Sequence, residues 1–85
     1  MSKPKLVYVR WLDSSTPIVG WKFFVDIDPA ETVPECETVG WLVSENAATF
    51  HIAGTICLAH DSAHQANCRI RIPKVAVLKM KRLKP

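Results

Sequence analysis

Along most of this chain apolar residues recur at every second position, and that spacing fits only one kind of regular element. Val7, Val9 and Trp11 fall on one face of a first segment, and Val39, Trp41 and Val43 do the same in TVGWLV. Phe50, Ile52, Ile56 and Leu58 share a face in TFHIAGTICLA, Ile70 and Ile72 alternate with Arg69 and Arg71, and VAVLKM ends in alternation with Lys79 and Lys81. Period two is the signature of strands with one face buried. Helical periodicity is sustained nowhere over three turns, and the two prolines of PAETVPE leave room for no more than a short helical turn. The pattern predicts an all-β chain with strands near 5–13, 38–45, 49–59, 68–72 and 75–83, and a long loop at about 13–37.

With 85 residues the chain is one domain. A domain of this size buries only about 60–65% of the surface its unfolded chain exposes. Five short strands are too few for an ordinary two-layer sandwich, so the economical arrangement is one small, strongly bent sheet closed into a barrel. Gly40 and Gly54, inside strands, fit the bends or bulges such a barrel requires.

The stretch RIRIPKVAVLKM runs from a strand through Ile72 and Pro73 into a tight turn and another strand. It resembles the end of Sm-like and SH3-like barrels, where one turn of tight helix joins the last two strands. Proline suits that place, because its fixed φ opens the turn and its missing N–H ends the strand pairing. Over most of its length the pattern VRWLDS, GW, TVGWLV and IPKVAV, carried by Trp11, Asp13, Ser14, Trp21, Val39, Gly40, Trp41, Ile72 and Pro73, resembles a group of small bacteriophage- and prophage-encoded proteins. That resemblance implies a small barrel of phage origin acting in the cytoplasm of a bacterial host, and it carries no activity with it.

Cysteine usage agrees with a reducing compartment, since Cys36, Cys57 and Cys68 are an odd number. No apolar run approaches the ~20 residues that cross a bilayer, so no membrane partner is expected. The start MSKPKLVYVRW is too charged and its apolar part too short for a signal sequence.

The most metal-like stretch is CLAHDSAHQANC, with Cys57, His60, His64 and Cys68. On a helix those four would spread over about 16 Å, too far for one tetrahedral ion. On a hairpin Cys57 has the parity opposite to Ile56 and Leu58, while Cys68 shares that of Ile70 and Ile72, so one thiol points out and one in. His60 and His64 are therefore weak metal candidates, a zinc-binding structural module is a distant alternative, and no cofactor is expected. His51 faces away from Phe50 and Ile52. None of the G-x-S-x-G, H-E-x-x-H or phosphate-loop patterns occurs, and a barrel this small rarely supplies the supporting shell of a catalytic triad, so turnover is not expected.

What remains is binding. Asp26, Asp28, Glu31, Glu35 and Glu37 cluster early, whereas no acid follows Asp61. Arg69, Arg71, Lys74, Lys79, Lys81 and Arg82, with Lys84, form a basic C-terminal region that is either a solvated edge resistant to pairing or a patch for phosphate or an acidic partner. Single-stranded nucleic acid would suit such a patch, although Trp11 and Trp41 share the parity of core valines and Trp21 lies far along the chain from the basic run. A second candidate is the loop RWLDSSTPIVGW, where Trp11, Asp13, Ser14, Ser15 and Trp21 either line a pocket for a small nucleotide-type ligand or form a turn with Trp21 folded back as a lid. Capture of such a ligand or of a host protein, with an anti-defence role, is the expected class of function. Open strand edges predict a homo-oligomer.

Overall fold

In the computed structural model, which describes residues 3–13, 20–59 and 64–84, the alternating segments become five antiparallel strands. They are β1 (Lys5–Leu12), β2 (Glu35–Glu45), β3 (Thr49–Cys57), β4 (Gln65–Pro73) and β5 (Val77–Leu83). One sheet holds them in the order β4-β3-β2-β1-β5. A single 3-10 turn, Lys74–Ala76, joins the last two strands, as the Ile72-Pro73 step predicts, and a second one at Phe24–Asp26 lies in the long loop. Among the described residues no helix is long and apolar enough to cross a membrane.

The order and the short link together dictate the shape. The strands β4 and β5 are the two edges, four spacings or ~19 Å apart if the sheet were flat. Four Cα steps from Pro73 to Val77 reach at most ~14 Å even when extended, so the sheet must roll to bring its edges toward each other. The core records that roll. Val7, Val9 and Trp11 of β1 share one buried cluster with Ile52 of β3 and Ile72 of β4, and Cys36, Leu42, Phe50, Ile70, Val77 and Met80 pack around them. No ladder pairs β4 with β5 among the described residues, so the sheet is rolled without hydrogen-bonded closure.

Lys74 fastens the link in place. Its backbone N–H donates to the Ala48 carbonyl at 2.7 Å, its ammonium donates to Glu45 Oε2 at 2.8 Å, and the same ammonium stands 4.7 Å above the Phe50 ring. The turn it grips is itself ordered by Asn46, whose Oδ1 accepts from the N–H groups of Ala48 and Thr49. Lys74 is thus a structural member of the basic set.

Register corrects the expected faces of β2. Val7 pairs with Gly40 and Val9 with Thr38, so Cys36, Thr38, Gly40 and Leu42 face inward. Val39 is 58% exposed and Trp41 lies on the outer face with Ala53, contrary to the sequence expectation for both. The reason is space: a Cβ on Gly40 would stand 2.6 Å from Ile52 Cγ2 and 2.7 Å from the Ala53 carbonyl oxygen. Only glycine lets β2 lie this close to β3, and its inward place forces its apolar neighbours outward. Inside, Trp11 is 7% exposed and its Nε1–H donates to Thr38 Oγ1 at 2.9 Å, so the ring fills the core without an orphaned donor.

The ends also move. β2 starts at Glu35 because Glu35, Cys36 and Glu37 pair with Leu12, Trp11 and Arg10, and β4 starts at Gln65 because Gln65, Ala66 and Asn67 pair with Cys57, Ile56 and Thr55. Gly40→Ala should lower stability by about 1–3 kcal/mol through overpacking against Ile52 and the β3 backbone. Urea unfolding of the two proteins measures it, and equal midpoints would show that β2 and β3 separate without cost.

Candidate anion-binding face

The regular alternation of β4 puts Arg69 and Arg71 on the outer face of the sheet, opposite Ala53 and His51 of β3. One strand further, Trp41 pairs with Ala53 and Ser44 with His51. Two rows result, Trp41-Ala53-Arg69 and Ser44-His51-Arg71. The indole and the Arg69 backbone are two strand spacings apart, ~10 Å. Trp41 is partly exposed, and the Lys3 ammonium lies 4.5 Å from its ring centroid.

At the β3–β4 end of these rows lies an open recess of about 600 Å³ lined by His51, Asn67, Cys68, Arg69 and Arg71. Its backbone is unusual at Cys68, which has φ +55°. The side chain of Gly54 opposite is absent where a Cβ would come within 3.3 Å of Cys68 Cβ, and Asn67 Oδ1 accepts the Cys68 N–H at 2.8 Å in place of a ladder partner. This kink explains why Cys68 is exposed although its parity with Ile70 and Ile72 predicts an inward thiol. Strained backbone of this kind costs about 1–3 kcal/mol and is found preferentially at binding sites. No carboxylate lines the recess, and among the described residues Arg69 and Arg71 enter no ion pair. Two guanidiniums without an ion-pair partner among the described residues and an imidazole, all lining one concavity, are suited to hold a phosphate or another oxyanion.

The opposite edge is different. Lys79 and Lys81 of β5 stand across from Arg10 and Tyr8 of β1, while Arg82 pairs with Val7. Here acids intervene: Tyr8 OH donates to Glu37 Oε2 at 2.7 Å, and Arg10 Nε lies 3.8 Å from Glu35 Oε1. The basic region expected from the sequence is therefore divided between two edges, and next to its β5 part the acids of β2 are engaged by Tyr8 and Arg10 of β1.

The loop candidate separates likewise. Trp11 is a core residue, and Trp21 is fully exposed, so it is not a lid on the sheet. Asp13 is exposed, and its backbone N–H donates to the Pro34 carbonyl at 2.9 Å, closing the base of the loop. Ser14 and Ser15 lie outside the described residues, as does His60. His64 is engaged locally, its Nδ1 accepting the Ala59 N–H at 3.1 Å. All three cysteines are free, and among the described residues no three His, Cys, Asp or Glu side chains converge as metal ligands would. Sequence reasoning missed Trp41, His51 and Asn67 as site members; the signal was Gly40, whose inward place puts Trp41 outside. Comparison of the chain with family models, with curated proteins and with solved structures finds no match.

Glu37 raises the pKa of the Tyr8 phenol above its ordinary 10.0, first by the hydrogen bond and further through desolvation and the negative charge. A raised value means that the fold favours the neutral phenol, so this contribution to stability is intact below about pH 10 and is lost as pH climbs through the raised value. Tyr8 is the only tyrosine in the chain. Its ultraviolet titration should have a midpoint above that of free tyrosine and fall toward it in Glu37→Ala; identical midpoints would remove the Glu37 hydrogen bond as the cause.

Proposed function

We propose that the rolled sheet is a small barrel of the Sm-like or SH3-like type, and that it works by binding a nucleotide-type ligand, free or as part of a single strand, without turnover. The observation that carries this reading is the juxtaposition of Trp41 with Arg69, Arg71 and His51 on one outer face. A π-surface beside uncompensated cations is the combination that holds a base and its phosphate together, base stacking and phosphate pairing each supplying part of the affinity. In such a complex Lys3 leaves the indole face for the phosphate, and the base takes its place. The loop around Asp13, Ser14 and Trp21 has a smaller part in this assignment than its sequence suggests, because Trp11 beside it belongs to the core. The resemblance to small phage-encoded proteins supports action in the cytoplasm of an infected bacterium, where sequestering a nucleotide would blunt a nucleotide-dependent host defence.

The test is fluorescence titration with mononucleotides and with short single-stranded DNA and RNA. Binding should quench tryptophan emission, weaken steeply with salt because each phosphate contact releases a counterion, and fall about tenfold or more in Arg69→Gln and Arg71→Gln. Lys79→Gln and Lys81→Gln should change it little. Saturation by a mononucleotide identifies the free ligand, and response to the strand alone identifies nucleic acid. No response to either, or an equal loss in the β5 variants, would reject the assignment.

A further inference from the structure

The long loop poses a separate problem. Every residue from 20 to 34 is exposed, including Trp21 at 105%, Phe24 at 92% and Val25 at 88% of full accessibility, together with Phe23, Ile27 and Val33. The hydrogen bonds inside this arm are local: Asp26 and Ile27 N–H to the Phe23 and Phe24 carbonyls, Glu31 N–H to the Asp28 carbonyl and Ala30 N–H to Asp28 Oδ1. The molecule is correspondingly long, 59 × 24 × 21 Å with a radius of gyration of 17.0 Å, where a compact chain of this length would have ~12 Å. Six large apolar side chains in 13 consecutive residues, all in water, are far from the scattered single exposures of an ordinary surface.

A receptive surface lies at the other end of β1. The arm leaves and rejoins the sheet where Leu12 pairs with Glu35, whereas Lys5 pairs with Leu42 seven residues away, ~24 Å along the strand. Beside Lys5 is a cleft of about 500 Å³ with Leu42, Val43, Ile56 and Leu58 in its walls and Lys3 and Lys5 among its lining residues. Glu45, which also lines it, is paired with Lys74. The arm carries one cation, Lys22, against Asp26, Asp28 and Glu31, and these acids alternate with or follow its apolar residues. An apolar, acidic segment and an apolar cleft bearing two lysines are complementary in both respects.

We propose that the arm of one copy of this chain seats in the Lys3–Lys5 cleft of a second copy, with Phe23, Phe24 and Val25 as anchors and Asp26 and Asp28 against the lysines. The areas agree. Trp21, Phe23 and Phe24 bury roughly 150–250 Å² each, and with Val25 and Ile27 they approach the ~800 Å² per partner of a standard stable interface. Because arm and cleft are different surfaces, the contact is made reciprocally in a dimer or passed head to tail around a ring. It does not use Arg69, Arg71 or His51; Lys3 is the one residue it shares with the face assigned above, and Lys5 and the apolar walls belong to the cleft alone.

Sedimentation velocity on the full chain at micromolar concentrations tests it. Wild type should self-associate. The arm variant Phe23→Ser with Phe24→Ser should weaken association about tenfold or more, and so should the cleft variant Lys5→Glu with Leu58→Glu. Both should keep the wild-type circular dichroism, because the altered side chains are exposed. An equimolar mixture of the two variants retains one intact arm and one intact cleft, and should form a 1:1 complex that neither makes alone. A monomeric wild type, or an arm variant that associates like wild type, would overturn the proposal. So would a mixture that fails to form the complex when both variants are folded, since the arm would then seat elsewhere.

Discussion

Three residues between the two outermost strands govern the architecture of this protein. Lys74–Ala76 can bridge β4 and β5 only if the sheet curls, and curling is what gives so few apolar residues an interior to fill. Val9, Ile52 and Ile72 are essentially without solvent contact although they come from three different strands of a single layer. The grip of Lys74 on Ala48, Glu45 and Phe50 combines a backbone bond, an ion pair and a cation–π contact at one residue. The exposed ion pair adds little by itself; its effect is to hold the link over the β2–β3 turn, where the backbone bond and the ring contact are made.

The curl also divides the surface electrostatically. On the β5–β1–β2 side Glu35 and Glu37 of early β2 meet Arg10 and Tyr8 of β1, so negative charge lies one strand away from the lysines of β5. On the β3–β4 side no carboxylate lines the recess, and Arg69 and Arg71 face water on the outer face that also carries an indole. Cations without fixed partners keep their full attraction for an arriving anion and lose no existing pair when it binds. The left-handed backbone at Cys68, possible next to Gly54, bends β4 at the mouth of the same recess.

Much of this was legible from the residues. The spacing of Val7, Val9 and Trp11 and of Ile70 and Ile72 gives both the strands and their inner faces, and the Ile72-Pro73 step gives the turn. β2 misled because two members of its alternating apolar set, Val39 and Trp41, sit on the wrong face. Packing and not hydrophobicity chose the face there, since Ile52 occupies the volume in front of Gly40, and such a contact between distant strands has no local trace. The basic residues of β4 and β5 look continuous in sequence for a related reason: neighbours along the chain become opposite edges of the sheet. Trp21 reads in the sequence as a lid, yet the rolled interior is already filled by Trp11, Ile52 and Ile72, and the indole stands in water.

The bond from the Asp13 N–H to the Pro34 carbonyl continues the β1–β2 ladder by one step beyond Leu12 and Glu35. The arm is therefore an insertion between clamped ends, and its length hardly enters the folding equilibrium. Doubling a closed loop costs only about 0.6 kcal/mol in closure entropy. Sequence drift in residues 20–34 is then almost invisible to the sheet. This chain can change what it associates with, by lengthening, shortening or exchanging the arm, while the five strands and the cationic face remain as they are, so assembly and ligand binding can evolve on separate schedules.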